Sequence, residues 1–163
     1  MTTLKRIRIC MTVMIVGLVF SGLTAIPLET ELKLMADWLD VDLNGPAPEA
    51  GLGHWIYRVA QGLMEMNAKH PFLAYGFDWL AFAHVVIAIA FIGAWRDPVR
   101  NVWLFEFGKI ACVLVIPWAL VFGEVRGIPF YWRLIDCSFG VIGYVPMWLC
   151  AKWVGEMTRE RKA

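Results

Sequence analysis

Apolar residues along this chain fall into four long blocks separated by polar stretches. The first block, Ile9–Ile26, carries no charged residue over 18 positions, close to the roughly 20 that cross about 30 Å of hydrocarbon. The second runs from about Ala74 to Trp95, with Asp78 near its start and His84 further in. The third covers about Trp103–Gly123 and the fourth about Leu134–Trp153. Their uncharged runs are shorter, because Glu106, Lys109 and Asp136 lie within them. A charge within a span costs several kcal/mol unless it faces protein, water or the interface. These three are therefore expected near helix ends or inside a bundle.

Between the first two blocks the pattern changes from continuous to periodic. Over Glu29–Leu43, Leu32, Met35, Ala36 and Leu39 share one helical face, with Glu31, Lys33, Asp37 and Asp40 mostly elsewhere. Asn44-Gly45-Pro46 is expected to stop that helix. Over about Leu52–Ala68, Trp55, Ile56, Val59, Leu63 and Met66 share a face opposite Arg58, Gln61 and Glu65, and Pro71 ends the run. Two amphipathic helices in a row are expected to close one end of the fold, either as a cap or on the membrane surface.

Composition agrees with the blocks. Of the 163 residues, 60% are hydrophobic and 18% charged, whereas soluble domains carry about half and about a quarter. The expected fold is all-α: a four-helix bundle in the membrane, with an extracytoplasmic amphipathic helical loop between spans one and two. It is read as a single membrane domain over 1–163, with spans at about 9–27, 74–95, 103–123 and 134–153 and the loop at about 28–73.

Basic residues orient it. With the N-terminus inside, Lys5, Arg6, Arg8, Arg96, Arg100, Lys152, Arg159, Arg161 and Lys162 are cytoplasmic, against Lys33, Arg58, Lys69, Arg126 and Arg133 outside. That bias places both termini in the cytoplasm. The compact spans point to a multi-pass protein of the cell membrane, read as a bacterial inner membrane. Trp79, Trp95, Trp103, Trp132 and Trp153 lie near span ends, where amphipathic rings favour the headgroup region. Lys5, Arg6 and Arg8 also resemble the basic region of a signal peptide, but Leu23-Thr24-Ala25 makes a poor cleavage site. A retained first span is the expectation. Gly17, Ser21 and Ala25 recur every four residues, giving it a face that another helix can approach.

The net charge of +1 and the absence of a basic stripe or zinc-finger spacing give no nucleic-acid partner. Cys10, Cys112, Cys137 and Cys150 include no Cys-x-x-Cys pair, and the polar loops contain no cysteine. They read as apolar packing residues rather than a disulfide framework. In topology alone, four spans with a large first outer loop are similar to the disulfide-forming quinone reductases of bacterial membranes and to the vitamin K epoxide reductases. Those families work through a Cys-x-x-Cys pair, and a lone Cys137 cannot cycle between dithiol and disulfide.

Candidate chemistry gathers near one end. Asp78 opens span two, Glu124 and Arg126 follow span three, and Arg133 and Asp136 open span four on one face. Arginine–carboxylate pairing is the least costly way to keep such charges near lipid. They read either as an ion-pair network closing the outer end or as a small ligand or proton site, with His84 just below. A six-coordinate haem would need a second axial ligand, and no other span holds a histidine. No cofactor and no metal are expected. On the fourth span, Cys137, Gly140, Gly143 and Tyr144 continue this face, and the glycines allow close approach. Pro117 and Pro146 lie within spans three and four and can kink them. Glu106 and Lys109 are spaced to pair with each other.

With no nucleotide loop, metal cluster or nucleophile elbow in view, the functional expectation is a non-catalytic accessory or scaffold subunit of a membrane complex. Its partners are lipid and the helices of itself or another membrane protein. The alternative is a small transporter or proton-linked carrier using the outer-end residues.

Overall fold

The computed structural model describes residues 2–160. Arg161 and Lys162, counted above among the cytoplasmic basic residues, lie outside the described residues. All the regular structure is helical: α1 Thr3–Thr24, α2 Leu28–Trp38, α3 Gly51–Lys69, a 3-10 turn at Pro71–Ala74, α4 Tyr75–Arg96, α5 Trp103–Val125 and α6 Phe130–Glu160. Four stretches are long and apolar enough to cross a membrane: α1, the Pro71–Arg96 run, α5 and α6. This is a multi-pass membrane protein by that measure.

The helices outrun the apolar blocks. α1 begins at Thr3 rather than Ile9, because lysine and arginine are good helix formers and extend an apolar helix into the headgroups by snorkelling. α6 runs for 31 residues, about 46 Å at 1.5 Å per residue, so it is longer than the hydrocarbon is thick.

The chain divides into two compact units, residues 1–17 with 87–163, and residues 18–86. In the first unit the interior is apolar. Ile7 and Met11 of α1, Phe91 and Ala94 of α4, Phe105 of α5, and Met147, Cys150 and Val154 of α6 are buried. A Cβ on Gly108 would meet Met147 Sδ and the Phe91 ring. Met147 therefore fills the notch that this glycine leaves. At the surface Arg8 Nε donates to the Trp95 carbonyl at 3.3 Å, and Trp95 Nε1 donates to Thr12 Oγ1 at 3.1 Å. Asn101 closes the α4–α5 turn by donating through Nδ2 to the carbonyls of Gly93 and Asp97.

α5 and α6 form an antiparallel hairpin. α5 ends in a Schellman motif: Ile128 N donates to Gly123 O, Gly127 N donates to Glu124 O, and Gly127 takes φ +66°. The two helices pack closely at Gly140 and Gly143, where an added Cβ would strike the Cys112 carbonyl oxygen or Cys112 Sγ. The space left by these two glycines is filled by a neighbouring helix.

In the second unit α2 packs on α3, burying Leu32 and Ala36 against a face that includes Ile56, Ala60 and Leu63. Both apolar faces are those expected from periodicity. α2 stops at Trp38, well before Asn44-Gly45-Pro46. Asp40 adopts φ +57°, Val41 N donates to Ala36 O and Asp40 N to Asp37 O. That is a second Schellman ending, made by a residue type that tolerates the left-handed region. Gln61 Nε2 and Tyr57 Oη then hold the following loop by donating to the carbonyls of Leu43 and Gly45.

Candidate functional site

The expected site residues distribute over both units. Asp78 and His84 belong to the second; Glu124, Arg126, Arg133 and Asp136 belong to the first.

In the first unit the α5–α6 corner is built around Arg133. Its guanidinium meets Glu124 Oε2 at 2.5 Å. Its Nε donates to the Ile128 carbonyl at 2.9 Å, and it lies over the Phe130 ring. Helical side chains lean toward the N-terminus of their own helix. Arg133 therefore points back across the corner rather than forward to Asp136. The room comes from Gly123, where a Cβ would fall within 2.6 Å of Arg133 Cγ. Arg126 follows the last turn of α5, and its side chain is exposed.

Asp136 is left without a hydrogen bond or ion pair among the described residues. It lines a shallow groove of about 500 Å³ between α5 and α6, beside Ala111, Leu114, Val115, Trp118 and Ala119. Cys137, next along the helix, faces the Ile116 carbonyl at 3.9 Å. At the opposite end of α5 Lys109 pairs with Glu106 at 2.7 Å, the pairing their spacing implied.

In the second unit Asp78 lies with Tyr75, Trp79 and Phe82 on one exposed strip of α4. The three aromatic rings meet edge to face. His84 Nδ1 contacts the carbonyl of Leu80, one turn back on its own helix, at 2.8 Å. Its Cβ packs onto Gly22 of α1, where an added Cβ would lie 2.7 Å away. Backbone and a glycine notch therefore hold this histidine. The small-residue face on α1 is offset from the expected one: Gly17 meets nothing within 4 Å, whereas Gly22 is buried. A strict four-residue repeat runs ahead of the 3.6-residue turn, and the contact falls on the neighbouring row.

One polar cluster has no counterpart in the sequence reading. Glu29 of α2 accepts from Lys33 Nζ at 2.6 Å and from Asn67 Nδ2 of α3 at 2.6 Å. The bond from Lys33, and then that from Asn67, holds its carboxyl below the usual carboxylate range. Glu29 and Asn67 border a cleft of about 330 Å³ that also includes Ile26 and Phe77. Asn67 Oδ1 is buried with no partner among the described residues. The signal available in the sequence was one polar residue at the edge of the α3 face, too little to single it out.

No protein-family model, no curated protein and no solved structure matches the chain.

Proposed function

We propose that the chain is a non-catalytic accessory or scaffold subunit of a larger membrane complex. The observation that carries this reading is the character of its interior. Where α1, α4, α5 and α6 meet in the first unit, the buried side chains are aliphatic, aromatic, methionine and cysteine. Gly108 and Gly140 are filled by neighbours. Such an interior holds helices together and provides no polar path. The outward faces of the same helices remain apolar, with Val113, Trp118, Val121, Phe139 and Ile142 all exposed. Helices in lipid associate through packing of such faces, with polar side chains as additional ties.

The orientation that goes with this reading places both termini in the cytoplasm and α2–α3 on the opposite side, in a bacterial inner membrane. The test is isolation from native membranes in mild detergent, with photocrosslinkers at Val121 and Ile142. The expected result is one defined membrane protein at both positions, lost when Val121→Lys is introduced. Recovery of the chain alone, with crosslinks only to lipid, overturns the reading.

A second reading is a small proton-linked carrier using Asp78, His84, Glu124, Arg126, Arg133 and Asp136. It is favoured by Asp136, whose carboxylate lines an apolar groove without a side-chain partner among the described residues. Proteoliposome flux that falls with Asp136→Asn supports it; flux unaffected by Asp136→Asn and His84→Ala removes it.

A further inference from the structure

We infer that two copies of this chain associate through the α5–α6 hairpin, with Arg126 of each copy pairing with Asp136 of the other. The inference extends beyond the subunit reading and does not depend on it, because purified chain alone tests it.

The hairpin carries two carboxylates and two arginines at one end. Glu124 and Arg133 satisfy each other. Asp136 and Arg126 are left over, opposite in sign and without a side-chain partner among the described residues. Asp136 is half-buried in the α5–α6 groove. Arg126 is exposed just past the end of α5. Within one copy no ion pair or hydrogen bond joins their side chains among the described residues, and the Arg133 guanidinium is taken by Glu124 and Ile128.

Copies inserted in the same direction present equal depths to each other. Asp136 is six residues into α6, about 9 Å below its start, and Trp118 lies a similar distance below the end of α5. This explains why both line one groove. Arg126 stands about 9–12 Å above Asp136 by the same measure, counted along α6 or along α5. The combined length of an extended arginine, a hydrogen bond and an aspartate side chain covers that offset. Ala111, Val115 and Ala119 recur every four residues along the groove, and the two alanines let a second backbone approach. A two-fold interface is self-complementary, so the pair forms twice. Each bond places a guanidinium, which matches a carboxylate geometrically, against an acid otherwise left facing lipid.

The experiment uses purified full-length chain, dye-labelled through a C-terminal tag and reconstituted at low density into liposomes, with subunits counted by single-molecule photobleaching. Wild type is expected to bleach mainly in two steps. Arg126→Glu and Asp136→Lys, each alone, shift the dimer-to-monomer ratio at least tenfold toward single steps. Mixing these two variants restores two-colour pairs, because the substituted positions of one copy then complement the other. Arg126 is exposed beyond a helix end, so its variant reports on association even where Asp136→Lys impairs folding. Asp136→Asn, which keeps the shape, is the conservative companion and also weakens the dimer. Single-step bleaching of wild type, single variants as dimeric as wild type, or variants that fail to pair with each other overturn the proposal.

Discussion

The side chain of Arg133 packs against Gly123 of α5, with Cδ and Cγ 2.5 and 2.6 Å from where a Cβ would stand. This contact determines where the guanidinium goes, and so which acid it pairs with. Glu124 is exposed, at 74% of its side chain, while Arg133 keeps 13%. An ion pair with one open partner contributes little in water; the packing against glycine carries more. Gly123→Ala should therefore destabilise the hairpin by about 1–3 kcal/mol, the range for overpacking a filled site. Glu124→Gln should cost under about 1 kcal/mol. Thermal unfolding of the two variants in the same detergent checks the ranking, and a larger loss for Glu124→Gln would show that charge, not packing, positions Arg133.

The α5–α6 crossing gives a pair of glycines with opposite expected signs. At Gly140 an added Cβ presses on the backbone carbonyl of Cys112, and a backbone atom cannot rotate away. Gly140→Ala should force the helices apart and cost about 1–3 kcal/mol. Gly155, on the same helix, has nothing within 4 Å. Gly155→Ala should stabilise by about 0.5–1 kcal/mol through helix propensity alone. Gly143, which faces the movable Cys112 thiol, should fall between them. Melting temperatures of the three variants test this order.

The link between α2 and α3 should respond to acid. Glu29 is held below the usual carboxylate range first by Lys33 and then by Asn67. A depressed folded-state value means that stability is present above the unfolded value and is lost as pH falls through the folded one. The link is therefore intact at neutral pH and opens as pH falls below the ordinary glutamate range. Carbon-detected titration of Glu29 should show a midpoint below that of a glutamate in an unstructured peptide. Lys33→Met should raise the midpoint further than Asn67→Leu does, since Lys33 is the larger cause. The reverse order would mean that Asn67 holds the carboxylate.

The all-helical class and the four long apolar helices followed from the sequence because each signal was long. Ile9–Ile26 is uncharged over 18 positions, and the faces of α2 and α3 repeat at helical period over two or more turns. Boundaries were less legible. α2 stops at Trp38 because Asp40 just beyond it makes a left-handed turn, and aspartate is an ordinary helix-surface residue in a one-dimensional reading. The candidate site was legible as a set of charges but not as pairs. Sequence spacing put Arg133 with Asp136; the pairing with Glu124 depends on Gly123, ten residues away, and on the side-chain lean of α6. His84 stood out as polar in an apolar block. Its anchor, Gly22, belongs to another helix and lies one position from the glycine-and-small-residue row that spacing selected.

That His84–Gly22 contact separates packing from chemistry at the one histidine within a candidate span. The atom that approaches Gly22 is His84 Cβ, with the Ala81 carbonyl oxygen beside it at 3.0 Å from the added carbon. Every residue except glycine carries a Cβ, so trimming the imidazole does not make room. Gly22→Ala should thus lower the melting temperature, by an amount corresponding to about 1–3 kcal/mol, and His84→Ala in the same chain should not rescue it. Gly17→Ala, with open space around it, is the matched control on α1 and should be neutral or mildly stabilising. Rescue of Gly22→Ala by His84→Ala would show that the ring itself presses on α1. His84 would then be wedged between helices rather than anchored to its own backbone at Leu80.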